Sequence, residues 1–135
     1  PWIGSIDQSN TGAQVPIRPN QLRNGNLPRD QRTVAQWFDV GAYEQPDENL
    51  FYFGNAGRNS LIGPGQNVFD GSLRKEFAIT ERQRLEFRTE FFNAFNHPNF
   101  AQPDNFIDDG PGVAGQITSL AIPMRQIQFG LKYSF

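Results

Sequence analysis

The side chains that most often carry out chemistry are few in this sequence. His97 is the only histidine and there is no cysteine. One chain therefore cannot form a histidine-based catalytic triad or a metal site with several histidine or thiolate ligands. His97 lies in Asn96-His97-Pro98-Asn99, which is typical of a turn at a strand end. A turn role is favoured over contact with a ligand or an interchain metal.

The acidic residues do not form a recognisable metal motif. Asp104, Asp108 and Asp109 stand just before Gly110 and could offer oxygens to Ca²⁺. Their spacing differs from that of the Asp-x-Asp-x-Asp-Gly loop that binds calcium. We therefore favour a solvated acidic loop over a calcium site and expect no bound metal.

Two further motifs also lack a catalytic or nucleotide-binding context. Glu76, Glu86 and Glu90 alternate with arginines that neutralise them, which argues against a hydrolytic pair of carboxylates. The segments Gly54-Asn55-Ala56-Gly57 and Gly63-Pro64-Gly65 have no Lys-Ser or Lys-Thr partner, so they do not indicate a phosphate-binding loop. We expect no enzymatic activity and no cofactor.

Residues 66–135 show a period-two alternation that predicts three long strands, at about 67–79, 84–95 and 125–135. One face of the first two strands is apolar and carries Phe69, Leu73, Phe77, Ile79, Leu85, Phe87, Phe91 and Phe95. The opposite face is charged and carries Asp70, Arg74, Glu76, Arg84, Glu86, Arg88 and Glu90. The third strand places Ile127, Phe129, Leu131, Tyr133 and Phe135 on one face.

The first two strands are predicted to form a hairpin around the turn Thr80-Glu81-Arg82. The predicted cross-strand pairs are Arg84 with Glu76, Glu86 with Arg74, and Arg88 with Ser72 or Asp70. Pairs of opposite charge that face each other across two strands contribute about 0.2–1 kcal/mol each. The charged face is therefore predicted to be a ladder of ion pairs.

Two architectures fit this alternation. Tilted strands of about 9–11 residues span a bilayer in a β-barrel, with apolar side chains toward lipid and polar ones toward a wet lumen. A soluble antiparallel sheet with one solvated face fits the charged ladder equally well.

The remaining segments are rich in Pro, Gly, Asn and Gln. Residues 1–65 and 96–124 are predicted to be loops. Within the first, Val34, Trp37 and Phe38 recur at helical spacing, which predicts one short helix near 31–43. No stretch approaches the roughly 20 apolar residues that a membrane helix needs.

The charge balance argues against a nucleic-acid-binding protein. The formal net charge is -2, with 12 Lys+Arg against 14 Asp+Glu, whereas domains that bind phosphate backbones usually carry a basic excess. Arginines outside the strands are scattered among acids and indicate solubility: Arg18, Arg23, Arg29, Arg32 and Arg58. We expect no nucleic-acid partner.

Three segments carry a resemblance to a known family. These are residues 54–65, residues 90–100 from Glu90-Phe91-Phe92-Asn93-Ala94-Phe95 to Phe100, and residues 125–135, which end the chain on Phe135 with an aromatic residue two positions earlier. Together they resemble the C-terminal end of TonB-dependent receptors of the Oar-like type, which are common in Acidobacteria. The resemblance covers nearly the whole chain.

The resemblance implies an all-β fold made of the C-terminal antiparallel strands of an outer-membrane β-barrel, with long extracellular loops and one short helix. It also implies that the last strand is an assembly signal read by the barrel-assembly machinery, through Ile127, Phe129, Leu131, Tyr133 and Phe135. The implied partners are outer-membrane lipid and the remainder of the barrel, and the implied location is the bacterial outer membrane. The plug, the TonB box and most of the barrel are missing, so we expect this chain to be part of a longer protein.

The loop lengths agree with that family. If Phe135 lies at the periplasmic end, the short turn Thr80–Arg82 faces the periplasm and the long segments 1–65 and 96–124 lie outside. Outer-membrane barrels have this asymmetry of short periplasmic turns and long extracellular loops. The alternative is a non-catalytic β module in which several copies of the chain self-assemble or bind a ligand, because three strands leave open edges.

Overall fold

The structure, a computed structural model, describes residues 1–4, 12, 16–47, 49 and 52–135. Its regular elements in these residues are nearly all strands, which confirms the all-β fold class. The strands are β1 (Asn20–Gln21), β2 (Tyr43–Glu44), β3 (Gly71–Ala78), β4 (Arg84–Phe92), β5 (Asn99–Phe100), β6 (Leu120–Ile122) and β7 (Gln126–Ser134). No helix in the described part of the chain is long and apolar enough to cross a bilayer.

The chain forms two compact units. The loop unit consists of residues 1–64 and 101–119, and the sheet unit consists of residues 65–100 and 120–135. The segment 101–119, which belongs to the long loop predicted at 96–124, thus contributes to the loop unit.

The loop unit has a small apolar core. Phe38, Ala42, Tyr43 and Ala56 are buried together, and Val40, Leu61 and Ile107 pack against them. The short strands β1 and β2 pair antiparallel beside this core, and an isolated bridge joins Ile3 to Ile17. A few aromatic and aliphatic anchors thus hold a unit made largely of irregular backbone.

The structure corrects the helix predicted near 31–43. This segment forms no α-helix. It contains the last residue of a 3₁₀ helix at Arg29–Gln31 and the whole of a second 3₁₀ helix at Val40–Ala42. The backbone N–H of Trp37 donates to the Gly115 carbonyl and that of Asp39 to the Gly25 carbonyl, both across the unit. These tertiary bonds replace the contacts to the preceding turn that a helix requires.

The sheet unit is built on an antiparallel three-stranded sheet of order β3-β4-β7. β4 lies in the centre and pairs with β3 through Gly71 to Ala78 and with β7 along all nine of its residues. β3 and β7 are the two edges of this sheet. The three long strands predicted from the sequence are therefore the three strands of one sheet.

The sheet unit has no apolar core of its own. Every one of its residues is described, and its buried residues are the polar Thr89, Asn93 and Asn99. All the buried hydrophobic side chains of the described chain belong to the loop unit. The sheet unit by itself therefore does not bury its apolar side chains.

A buried asparagine ends β4 after Phe92. Asn93 has a positive φ of 49°, a conformation that asparagine tolerates better than most residues. Its side chain accepts the His97 N–H at 3.0 Å and donates to the His97 carbonyl at 2.9 Å. Its own N–H donates to the Asp70 carboxylate at 2.8 Å. This network stops the strand three residues before the predicted end at residue 95 and places His97 in the turn that follows.

Candidate functional site

One face of the sheet β3-β4-β7 carries exposed apolar side chains. Pairing places Leu73, Thr89 and Phe129 side by side, and likewise Phe77, Leu85 and Tyr133. The exposed members of this apolar face are Leu73, Phe77, Phe87, Ile127, Phe129, Leu131 and Tyr133, while Leu85 and Phe91 are half-buried. Four more exposed residues lie just beyond the strand ends: Phe69, Ile79, Phe95 and Phe135.

The exposed fractions of the side chains on this face are large for apolar residues. Leu131 is 70% exposed and Phe129 68%, although Phe129 stacks on Phe87 with ring centroids 6.2 Å apart. Soluble monomers rarely expose contiguous apolar patches larger than a few hundred Å². This surface is therefore suited to contact with lipid or with another protein surface.

Two polar residues interrupt the apolar face. Thr89, at the centre of β4, is only 4% exposed because it lies between Leu73 and Phe129 on the neighbouring strands. Lys75 lies on β3 directly opposite Phe87, and its ammonium group is 6.0 Å from the centre of the Phe77 ring. The alternation of β3 assigns Lys75 to this face, since its position is odd like those of Leu73 and Phe77.

The opposite face of the sheet is charged. Arg84 and Glu76 form an ion pair of 2.8 Å, and Arg74 and Glu86 one of 3.6 Å. A third pair, of 3.5 Å, joins Arg88 and Glu90 along β4. These side chains are substantially exposed, so each pair contributes at most about 1 kcal/mol. Their main consequence is that this face stays polar.

The predicted register of the hairpin is wrong by two residues. Residues of like charge stand directly opposite each other, Glu76 against Glu86 and Arg74 against Arg88, so the ion pairs run diagonally across the strands. The cause is the turn, in which the Ile79 N–H donates to the Gln83 carbonyl at 2.9 Å. A three-residue turn closed in this way places Glu76 opposite Glu86. The partners of the first two ion pairs are those predicted.

Asp70 differs from the rest of the predicted charged face. It precedes β3, and its carboxylate accepts the Asn93 N–H, so it belongs to the turn that ends β4. The other six residues predicted for that face lie within β3 or β4: Arg74, Glu76, Arg84, Glu86, Arg88 and Glu90.

The acidic loop of the loop unit has one perturbed carboxyl group. Desolvation and repulsion from Asp104 and Asp108 raise the pKa of Asp109 above its usual value. Among the described residues no group of three or more His, Cys, Asp or Glu side chains has an arrangement that could hold a metal ion.

The comparison with known protein families agrees with the geometry of the sheet. A family model described as an outer membrane beta barrel domain matches residues 3–128, which is most of the chain. The chain belongs to this family. No curated protein and no solved structure matches the chain.

Membership in the outer membrane beta barrel domain family accounts for the sheet unit. The protein resides in the bacterial outer membrane, and its three long strands are a segment of a barrel that is not closed within this chain. Barrel strands alternate between an apolar and a polar face, as β3, β4 and β7 do.

Proposed function

We propose that this chain is the C-terminal barrel segment of an outer-membrane TonB-dependent receptor of the Oar-like type. It contributes barrel wall, extracellular loops and the C-terminal assembly signal. The observation that supports its barrel part is a sheet with an exposed apolar face, a charged opposite face and no core of its own. The TonB-dependent part rests on the resemblance of residues 54–65, 90–100 and 125–135. In this proposal the segment has no catalytic role and holds no cofactor, and transport is a property of the whole receptor.

The proposed orientation follows from the two faces of the sheet. The apolar face contacts the acyl chains of outer-membrane lipid, and the charged face lines the lumen. The nine-residue strands β4 and β7 have the length that a tilted strand needs to span a bilayer. The edges of β3 and β7 pair with the remainder of the barrel, because an open edge in a membrane leaves backbone groups without partners.

The last strand is the proposed contact with the barrel-assembly machinery. Phe135 is 93% exposed and its ring lies 5.8 Å from that of Tyr133, centre to centre. The proposed signal comprises these two residues with Ile127, Phe129 and Leu131, which alternate along the same edge strand β7. These side chains are accessible to a partner that recognises the strand before the barrel closes.

Labels on adjacent residues of β7 test the proposed orientation. Because the chain has no cysteine, Phe129→Cys and Gln128→Cys each create a single thiol for an environment-sensitive dye. In vesicles that contain brominated lipids, we expect strong quenching of the dye at position 129 and weak quenching at position 128. Equal quenching at both positions would contradict the assignment of the two faces.

The sequence of the gene tests the assignment to a TonB-dependent receptor. The reading frame that encodes this chain should also encode a plug domain, a TonB box and enough strands for a barrel of 22 strands. A reading frame that encodes a complete barrel but no plug domain and no TonB box would refute the receptor assignment. The assignment to an outer-membrane barrel would still hold.

The open edges of the sheet favour a second candidate, a β module assembled from several copies of this chain. Within the described residues, β3 and β7 each pair with a strand on one side only, and a three-stranded sheet cannot close on itself. Light scattering of the protein in detergent distinguishes the two proposals. Defined multiples of 15.3 kDa would support self-assembly, whereas a single protein of that mass would exclude it.

A further inference from the structure

The loop unit contains a polar cavity that the barrel role does not explain. Its volume is about 410 Å³, within the range of small-molecule sites. The lining residues that bear on its chemistry are Trp2, Arg18, Arg58, Asn59, Gln102 and Asn105. The cavity lies wholly within the loop unit.

The charged groups around this cavity are positive. Arg18 and Arg58 are distant in sequence but line the same cavity, and its described lining includes no Asp or Glu. Within the described part of the chain, neither arginine forms an ion pair. Among the described residues, Arg18 donates a hydrogen bond to the Ala56 carbonyl at 3.3 Å. Each guanidinium group has five N–H donors, so most of them have no partner in that part of the chain.

The neutral groups of the cavity complement these charges. The side chains of Asn59, Gln102 and Asn105 can donate further hydrogen bonds. Ser60 also lines the cavity, and its hydroxyl is buried without a hydrogen-bond partner in the described residues. A buried hydroxyl without a partner costs free energy, which a ligand oxygen would recover after rotation of the side chain.

We propose that this cavity binds a small organic oxyanion, held through carboxylate or phosphate oxygens. Arginine binds both groups with two parallel hydrogen bonds. Arg58 is exposed at the cavity and makes this contact, and Arg18 supports it from a less exposed position. The Trp2 ring, 37% exposed, offers an apolar wall to the carbon skeleton. The site lies in the loop unit, so the proposal does not depend on the TonB-dependent role.

Calorimetric titration of the full chain in neutral detergent tests the site. The probes are citrate, inorganic phosphate and, as an uncharged control, glycerol. We expect saturable binding of citrate or phosphate that weakens with added salt, because the arginines are accessible to counterions, and no binding of glycerol. Tighter binding of citrate would identify the carboxylate class and tighter binding of phosphate the phosphate class. Absence of binding by both anions would overturn the proposal.

Matched substitutions assign the binding to the arginines. Arg58→Gln should weaken anion binding about tenfold or more, which is the loss of one charge-assisted contact. Arg29→Gln removes the same charge from an exposed position of the same unit that does not line the cavity, and it should change binding less than twofold. An equal loss in both variants would refute a localised site. Near-ultraviolet circular dichroism of each variant should match that of the parent chain.

The amine of Pro1 requires its own control. In the 135-residue chain used for this titration, Pro1 also lines the cavity, and burial lowers the pKa of its amino group. A chain with one additional glycine before Pro1 moves this amine away from the cavity and should retain anion binding. Loss of binding in the extended chain would show that the amine carries it and would overturn the assignment to the arginines.

Discussion

The register of the β3–β4 hairpin yields a distance prediction that paired cysteines can measure. In the structure, Glu76 faces Glu86 and Phe77 faces Leu85. Directly opposite residues have Cα atoms about 4.5–5.5 Å apart, within the 4.4–6.8 Å range of disulfides. Arg84 lies diagonally from Glu76, and diagonal neighbours are about 7–8 Å apart. Only the opposite pairs can therefore be bridged without moving the backbone.

The assay uses three double variants in a chain without native cysteine. Glu76→Cys with Glu86→Cys and Phe77→Cys with Leu85→Cys are the opposite pairs, and Glu76→Cys with Arg84→Cys is the diagonal control. Successive opposite pairs alternate between close and wide spacing, so at least one of the two should oxidise rapidly in vesicles. Mass spectrometry after thiol alkylation measures the fraction of molecules in which the two cysteines form a disulfide.

A register shifted by two residues would give a different result in this assay. Shifted by two residues, the strands would place Glu76 opposite Arg84, and opposite charges would then face each other directly. Preferential oxidation of the diagonal control pair would show that the strands adopt the shifted register. The Phe77 and Leu85 variant leaves every charge in place, so a bridge there cannot result from relieved repulsion between glutamates.

Two further predictions concern packing and membrane contact. Gly54→Ala should destabilise the loop unit by about 1–3 kcal/mol, because its new Cβ would clash with the Pro19 carbonyl group. Gly57→Ala should not, because no atom of the described residues lies within 4 Å of its new Cβ. Urea unfolding followed by tryptophan fluorescence compares them, and equal midpoints would contradict the contact. Lys75→Leu should strengthen vesicle binding, since a lysine facing lipid costs about 2–4 kcal/mol at the midplane and 0–1 near the interface. Lys132→Leu removes the same charge from the polar face, and an equal gain in flotation assays would refute the difference between faces.

The long strands could be predicted because their signal is local. The alternation of apolar and charged residues along 84–92 is enough to assign each residue to one of two faces, and β4 has these same two faces in the structure. The register could not be predicted from charge alone, since it depends on how the Thr80–Arg82 turn closes Ile79 against Gln83. The same alternation also places one charged residue on the apolar face, because Lys75 has an odd residue number like its apolar neighbours on β3.

The loop unit was harder to predict because its structure depends on distant contacts. Val34, Trp37 and Phe38 have helical spacing, but Val34 is 46% exposed while Phe38 is buried. Tertiary hydrogen bonds determine this backbone, and no local pattern encodes them. Likewise, Arg18 and Arg58 reach one cavity only because the chain folds back on itself.

The absence of an apolar core in the sheet unit has a thermodynamic consequence. Its exposed apolar side chains would gain little further contact with water if the strands unfolded in aqueous buffer. The heat-capacity change and the denaturant slope of that unfolding should therefore be small. If lipid covers this face, as we propose, the hydrophobic free energy of these strands is released on insertion, and for the sheet unit folding and insertion are then one thermodynamic event.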